Sequence, residues 1–322
     1  MSTTHHSPLR SSYTAAGEMP WKLLRAEGAI GDGKIRPVHL QLIPTNRCNG
    51  RCPWCSCANV DRAEELGDGE LLAVLRFFAK RGTQAVTFTG GGEPTLHRAL
   101  VPALLMARQW GMECGLVTNG LVWSRAKRTE LELADEALTW ARMSIVDTVG
   151  RYDCDRVARF CENLPRVDVG VSFTVTEGVN LETAAALCRL AERAPNLTHV
   201  RFVQDIVQPD RASMDRLVAR CQPLSAKAIF QYRDRFQPGA AACLLSRLKP
   251  LIGADGHVYP CCGVQYAAED ARCLPARFRM GHWSEFDRLV PFDGSICRKC
   301  FYGPYNETLA RLIAPMHHEA FV

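Results

Sequence analysis

Apolar and β-branched residues gather in short runs along the chain, at 37–43, 84–89, 113–118, 139–145, 167–175 and 198–204. From the second run onward they return about every 26 to 30 residues. The intervals carry a different period. Leu71, Leu72, Leu75, Phe78 and Ala79 follow Asp68 at helical spacing, and Gly82 comes next. This predicts a helix from Asp68 to Arg81 with Asp68 as its cap. Leu96 to Trp110 ends the same way at Gly111. Tyr152 to Leu164 and Leu181 to Ala194 continue the pattern, the last behind an Asn180 cap. Repeated strand–helix units are what a parallel sheet requires, because each parallel strand returns through a crossover. The predicted class is α/β. Six units are too few to close a full eight-unit barrel, and an open doubly wound sheet satisfies the same pattern.

The rhythm fails from about Asp210. A helix from Asp210 to Cys221 leads into a stretch rich in Gly, Pro and Cys. The expected division is an N-terminal extension at 1–36, the α/β unit at 37–209 and a smaller unit at 210–322. Residues 1–17 are polar and rich in Ser and Thr, unlike a secretory signal, and read as a poorly ordered tail. Pro20 to Glu27 reads as a short helix ended by the Gly31-Asp32-Gly33 turn. No apolar run approaches the roughly 20 residues of a membrane helix.

Composition adds little until the cysteines are counted. The 322 residues are 47% apolar and 23% charged, ordinary for a globular protein, and carry a net charge of +5. That charge suits an anionic substrate, but no block of like charges suggests a nucleic-acid arm. Fifteen cysteines are many. Cys114, Cys154, Cys161, Cys188 and Cys221 are isolated and read as buried small hydrophobes. The others cluster in two places, which points to metal in a reducing cytoplasm rather than to a disulfide framework.

The first cluster is Cys48-Asn49-Gly50-Arg51-Cys52-Pro53-Trp54-Cys55, directly after the first apolar run. Three thiolates at C-x3-C-x2-C spacing lie on one loop and converge on one point. They leave a tetrahedral soft-metal site one ligand short, and an open position is what a catalytic metal needs. A partial zinc knuckle, with Cys57 as its fourth ligand, is the plainer alternative. With the aromatic Trp54 before the third cysteine, the motif resembles the signature of the radical S-adenosylmethionine (radical SAM) family. The resemblance implies a partial (βα)6 TIM-like barrel. It implies a [4Fe–4S] cluster on Cys48, Cys52 and Cys55, with S-adenosylmethionine (SAM) chelating the fourth iron.

The second strand runs into Gly90-Gly91-Gly92-Glu93-Pro94. Glycines let the backbone turn sharply and approach a ligand, and a carboxylate behind them accepts hydrogen bonds from an ammonium group. The stretch resembles the family's GGE motif. By that resemblance Glu93 holds the methionyl amino group of SAM, while Gly91 and Gly92 shape the loop. Thr118 and Asn119 end the third strand and Ser144 lies on the fourth, where the family places SAM contacts; Ser144 suits the ribose or the carboxylate. Thr118 and Asn119 also suit a plain turn with Gly120. Trp54 packs near the adenine by the same resemblance, or else in the core.

The second cluster comprises Cys243, Cys261, Cys262, Cys273, Cys297 and Cys300. Cys297 and Cys300 form a two-ligand corner. Asp255-Gly256 reads as a hairpin turn that brings Cys243 and Cys261 together. Four thiolates suit structural zinc or a [4Fe–4S] cluster. The layout resembles the auxiliary-cluster twitch domain, a shortened SPASM domain, and Met280-Gly281-His282-Trp283 fits the same family. The implied ligands of one auxiliary [4Fe–4S] cluster are Cys243, Cys261, Cys297 and Cys300, with Cys262 an alternative to Cys261. Cys273 is unassigned, a free thiol able to donate a hydrogen atom.

The activity implied is reductive cleavage of SAM to a 5′-deoxyadenosyl radical. That radical takes hydrogen from a small polar natural-product precursor such as a sugar, aminocyclitol or nucleoside. The auxiliary cluster would make the net reaction an oxidation, and the spacing is similar to that of the 2-deoxy-scyllo-inosamine dehydrogenase type. The external one-electron donor would be of flavodoxin or ferredoxin type. Epimerisation, sulfur insertion and peptide maturation use the same motifs. The 36 residues before the first strand are short for a peptide-recognition domain. A zinc-binding structural or nucleic-acid protein is the remaining class. Substrate contacts are expected at strand ends: Tyr152, Glu177, Arg201, Gln204 and Asp205, each of which also suits a surface or helix-cap role.

Overall fold

The computed structural model describes residues 20, 23–24, 26, 28–31, 34–123, 126–145, 154–233, 236–267 and 272–314. Tyr152 and the tail at 1–17 lie outside them, as do Trp21, Lys22, Arg25 and Glu27 of the helix expected from Pro20. A short pair, β1 (Ile30–Gly31) and β2 (Lys34–Ile35), precedes the main sheet. Six strands then lie side by side in chain order, all parallel. They are β3 (His39–Leu42), β4 (Ala85–Phe88), β5 (Glu113–Thr118), β6 (Trp140–Ile145), β7 (Asp168–Val175) and β8 (Leu197–Gln204). After each strand from β3 to β8 comes a helix: α1 (Asp68–Ala79), α2 (Leu100–Gln109), α3 (Arg128–Ala137), α4 (Cys154–Asn163), α5 (Leu181–Arg193) and α6 (Arg211–Cys221). The α/β class and the six parallel units are therefore as expected. Among the described residues no helix is long and apolar enough to cross a membrane.

Strand side chains alternate between two faces. One face supplies Leu40, Leu42, Val86, Phe88, Leu116, Met143, Val171, Phe173, Val200 and Phe202 to a core shared with the helices, where Leu71, Val74, Leu75 and Phe78 of α1 are fully buried. The opposite face carries Gln41, Thr87, Arg142, Ser144, Ser172 and Arg201. Parallel strands covered on both sides are usually apolar on both, so this polar inner face is shaped for something other than packing. Register sets Ser144, Ser172 and Arg201 abreast, and Arg201 Nη2 donates to Ser172 Oγ at 2.7 Å.

Chain beyond residue 210 extends this sheet at both edges. β9 (Ala228–Gln231) adds in parallel to β8. β10 (Leu251–Ile252) adds in parallel to β3, then pairs antiparallel with β11 (His257–Tyr259), which pairs with β12 (Gly281–His282). Among the described residues the result is one ten-stranded sheet. The expected turn lies between β10 and β11, and Gly256 takes its left-handed position at φ +72°. Helices α7 (Leu245–Leu248) and α8 (Gly303–Ile313) meet over a smaller core of Leu244, Leu245, Leu248, Tyr302 and Leu309.

Boundaries differ from the sequence reading at two helices. Gly67, not Asp68, holds the N-cap position of α1; Asp68 is the first helical residue and pairs with Arg98 Nε at 2.7 Å. The helix expected from Leu96 begins at Leu100, behind a separate 3-10 turn at Pro94–Leu96. Asn180 caps α5 as expected, its side chain accepting from the amides of Glu182 and Thr183 at 3.0 Å each.

Candidate functional site

The cysteine loop leaves the C-terminal end of β3 and lies against the loop that leaves β4. Two main-chain bonds join them: Gly92 N to Thr45 O at 3.0 Å and Glu93 N to Arg47 O at 2.7 Å. The approach is close enough to exclude side chains. A Cβ on Gly91 would overlap the Asn46 amide oxygen, and one on Gly92 would overlap the Arg47 carbonyl. Neither glycine has a positive φ. The glycines are therefore needed for contact with the cysteine-bearing segment, not for a turn.

Glu93 is only 2% exposed. Its Oε1 accepts from Thr95 N (3.1 Å), Thr95 Oγ1 (2.7 Å) and Thr118 Oγ1 (2.6 Å), and its Oε2 accepts from Asn119 N (2.6 Å). Asn119 Nδ2 in turn donates to Asn49 Oδ1 at 2.7 Å, inside the cysteine motif. The carboxylate thus ties the ends of β4 and β5 together, and Asn119 carries the tie to the cysteine loop. Burial pushes the Glu93 carboxyl up, and the donors from Thr118, Asn119 and Thr95 pull it back. A carboxylate has about four acceptor positions, two per oxygen. Oε1 is saturated, while Oε2 retains room for one more donor.

On the loop itself, Gly50 N points at Cys48 Sγ (3.3 Å) and Cys57 N at Cys55 Sγ (3.4 Å). Backbone amides so placed favour thiolates. Burial pushes the Cys48 thiol up, and the Gly50 amide opposes it. Cys57 is different. It is buried, its thiol donates to Gly90 O at 3.6 Å, and desolvation pushes it far up. Its sulfur is engaged by the Gly90 carbonyl, at the start of the glycine loop.

Beside the loop opens a cleft of about 660 Å³, lined by Pro53, Trp54, Glu177, Asp205, Asp210 and Arg272 among others. Trp54 faces this cleft rather than the core. Of the substrate candidates, Glu177 and Asp205 reach it; Asp205 is buried, and its Oδ1 accepts from Val207 N at 2.9 Å. Gln204, one residue earlier, is not among the lining residues; its Oε1 accepts from Arg233 N at 2.8 Å. Arg201 lies on the inner face against Ser172 and Gln231. Ser144 shares that face, outside the hydrogen-bonded group around Glu93. Sequence reasoning missed Thr95, Asn49 and Arg272. Thr95 follows Glu93 by two residues, a spacing at which local carboxylate-to-amide bonds form, which was the available signal. Arg272 offered none.

The second set also gathers. Cys243, Cys261, Cys297 and Cys300 line one small cavity of about 20 Å³, with Leu245, Val264, Phe301, Tyr302 and Asn306 in its wall. Main-chain bonds brace it: Cys243 N to Phe292 O (2.8 Å), Cys300 N to Gln237 O (2.8 Å) and Gly239 N to Cys297 O (2.9 Å). Asn306 Nδ2 points at Cys243 Sγ (3.7 Å) and Tyr302 N at Cys300 Sγ (3.4 Å). Burial pushes the Cys243 and Cys261 thiols up and that of Cys297 up to about 12, neighbouring sulfurs adding to the effect. Thiols gathered in this way become thiolates together only where a cationic centre compensates them. Cys262 lies outside the lining, 3.2 Å from the Tyr302 hydroxyl. Cys273 also lies outside it, close enough to Cys57 for their charges to interact. Among the described residues no three His, Cys, Asp or Glu side chains stand close enough to hold a metal ion as they are. The fit to an iron–sulfur group rests on the donor set: all sulfur, partly buried, with backbone or side-chain amides aimed at Cys48, Cys55, Cys243 and Cys300.

Residues 42–146 match the model of the Radical SAM superfamily. The chain carries a radical SAM domain. Members of the superfamily are enzymes, and the cofactors of such a domain are a [4Fe–4S] cluster and SAM. The matched span runs from the last residue of β3 past Ser144, so it contains the cysteine loop, Glu93, Thr118 and Asn119. The parallel sheet is accordingly the TIM-like partial barrel of that superfamily. Curated relatives include the GTP 3′,8-cyclase of Heliobacterium modesticaldum, 30% identical over 190 residues that cover 54% of this chain and 57% of that protein. The PqqA peptide cyclase of Xanthomonas oryzae pv. oryzae is 29% identical over 164 residues, covering 50% and 43%. The chain thus spans about half the length of the curated relatives it matches. Among solved structures, Streptococcus suis SuiB bound to S-adenosylmethionine superposes with a TM-score of 0.60 at 13% identity, covering 85% of this chain and 74% of that one. SuiB bound to its precursor peptide SuiA gives 0.58 at 13% identity over 95% and 80%. That likeness is one of fold, and its coverage takes in the cysteine-rich C-terminal region.

Proposed function

We propose that this chain is a radical SAM enzyme acting on a small polar substrate such as a sugar, aminocyclitol or nucleoside, with net oxidation assisted by one auxiliary [4Fe–4S] cluster. The observation that carries the reading is continuity: the three-cysteine loop, Asn49, Asn119, Thr118 and Glu93 form one bonded group, and that group borders a cleft. Once bound, the cluster and SAM supply a 5′-deoxyadenosyl radical that abstracts hydrogen.

The residues have the following parts in this reading. Cys48, Cys52 and Cys55 hold the cluster and leave one iron for SAM. Glu93 takes the methionyl ammonium on the free side of Oε2, with Thr118 and Asn119 holding the carboxylate still. Gly91 and Gly92 permit the loop contact that sets Glu93 beside the cysteines. Trp54 faces the adenine side, and Ser144 offers a hydroxyl from the inner face of β6. Cys243, Cys261, Cys297 and Cys300 hold the auxiliary cluster, and an external one-electron carrier of flavodoxin or ferredoxin type supplies the reductant. The cleft with Glu177 and Asp205 receives the substrate, walled from the helices by the sheet. Arg201 lies deeper on the inner face. A peptide substrate is the second reading; the cleft is open and borders exposed Val207, and the relatives' names span peptide and nucleotide substrates.

Anaerobic incubation with dithionite and SAM tests the reading. The expected product is 5′-deoxyadenosine, from a brown protein holding about eight irons, four per cluster. Replacing Cys48, Cys52 and Cys55 together by Ala should abolish it. Persistence of 5′-deoxyadenosine in that variant, or a colourless zinc protein, would overturn the assignment.

A further inference from the structure

We propose that Arg272 is a positioning residue for the cysteine loop: it clamps the Cys52–Cys55 turn and sets a permanent positive charge beside it. The proposal rests on the reading that Cys48, Cys52 and Cys55 hold a cluster.

Between Arg51 and Ala63 the chain is a series of turns with neither helix nor strand. Its internal main-chain bonds include Cys55 N to Cys52 O (3.1 Å) and Ala58 N to Cys55 O (3.3 Å). The Cys57 thiol reaches Gly90 O and Arg62 Nη1 reaches Asn46 O, and further support arrives from 217 residues away in the chain. Arg272 Nε donates to Cys55 O at 3.0 Å, and its Nη2 donates to Pro53 O. The main chain of the same residue takes part, since Asn59 N donates to Arg272 O at 2.8 Å. One residue therefore holds a carbonyl between two of the cysteines, the carbonyl of the third, and the exit of the loop.

The backbone of Arg272 marks the position as constrained. Its φ is +37°, and among the described residues it is the one non-glycine with a positive φ. Side chains disfavour that region, and residues kept there cluster at functional sites. Arginine suits the task in two separable ways. Its planar fork meets two acceptors at once, which a lysine ammonium on a flexible stem does not reproduce. Its charge is permanent, and a fixed cation beside a cluster favours the form with one more electron.

Two variants separate the fork from the charge. Arg272→Gly accepts the backbone conformation without strain, keeps the bond to Asn59 and removes both contributions. Arg272→Lys keeps only the charge. Measured by EPR-monitored titration, the three-cysteine cluster of the glycine variant should be harder to reduce by about tenfold in the reduced-to-oxidised ratio, or 59 mV for one electron. The lysine variant should stay near the wild-type potential. In both, the amides of residues 52–59 should exchange hydrogen faster than in the wild type, in apo-protein as well as in the iron-loaded chain. A glycine variant with wild-type potential and wild-type exchange overturns the proposal. If instead the Cys48, Cys52 and Cys55 triple variant loses no EPR signal relative to the wild type, the cysteine assignment is what fails, and the exchange measurement on apo-protein still decides whether Arg272 clamps the loop.

Discussion

The two sulfur sites are built in opposite ways. The first takes three cysteines from eight consecutive residues, leaves them partly exposed, and sits beside a cleft of about 660 Å³. The second draws four cysteines, of which Cys243 is buried and the other three are partly exposed, from separated stretches between 243 and 300 around a small cavity of about 20 Å³. Both nonetheless depend on a glycine where two main chains cross. Gly92 lies under the Arg47 carbonyl, and Gly239 lies under the Gly294 carbonyl with Cys297 Cβ close by. The difference is one of access. A site one ligand short with space beside it admits a reactant, whereas one that offers four sulfurs around a small cavity can exchange electrons or brace the fold. On the proposed reading, SAM goes to the first and electrons to the second.

The largest expected effects come from those two glycines. Gly92→Ala and Gly239→Ala each force a Cβ into backbone that cannot swing aside, so each should destabilise the chain by about 3 kcal/mol or more. Their consequences should part at the metal. Gly92→Ala should lose the three-cysteine cluster and 5′-deoxyadenosine formation while keeping auxiliary iron; Gly239→Ala should do the reverse for iron. Denaturant midpoints and iron per chain check both. If either variant loses all iron, the two sites form one cooperative unit and the contrast drawn above breaks.

The same contrast explains which parts could be read from sequence. Cys48, Cys52, Cys55, Gly91, Gly92 and Glu93 lie within two short stretches, so the covalent chain itself does the gathering. That Glu177 and Asp205 line a cleft was legible because clefts of this kind open at the C-terminal ends of parallel strands. Gln204, one position earlier, does not line the cleft: neighbouring strand residues point to opposite faces, and its amide oxygen is turned to Arg233 N. The Asp68 cap failed because an acidic residue favours both the cap and the first turn, and Gly67 took the cap. Strand β9 escaped notice as a half-buried edge with mixed polarity. Arg272 could not be found at all. Its place depends on β10 joining β3 and folding the C-terminal region back over the loop, and no local pattern encodes that.

A mid-sized effect should sharpen the closed site alone. Asn306 is buried at 4% exposure; its Oδ1 accepts from Leu245 N at 2.9 Å while its amide nitrogen faces Cys243 Sγ. Asn306→Ala leaves the Leu245 amide buried without a partner, which costs about 2 kcal/mol. Asn306→Asp keeps the acceptor but brings a negative charge toward a thiolate, so it should retain more stability than the alanine variant yet hold less auxiliary iron. Urea unfolding and iron analysis would show this, with SAM cleavage at the first cluster retained in both. Equal iron in the two variants would mean that Asn306 braces α7 and has no bearing on the sulfur.

The smallest effect tests the open site. Asp210 lines the cleft, yet it also caps α6, accepting from Ser213 N at 3.0 Å and from the Ser213 hydroxyl. Those bonds, the hydroxyl first and the amide second, hold its carboxyl below the usual range. Asp210→Ala should cost about 1 kcal/mol at pH 7. The sign of the pH dependence follows from the depressed value. The stabilisation is complete above the unfolded pKa of about 3.9 and fades as pH falls through the lower folded value. The gap in stability between wild type and Asp210→Ala should therefore close below about pH 4. Asp210→Ser keeps a capping oxygen without the charge, so it should recover most of the stability at every pH. If the serine variant is as stable as wild type but turns substrate over more slowly, the carboxylate serves the cleft as well as the helix. Unchanged turnover leaves it a cap alone, and the acidic contacts of the cleft reduce to Glu177 and Asp205.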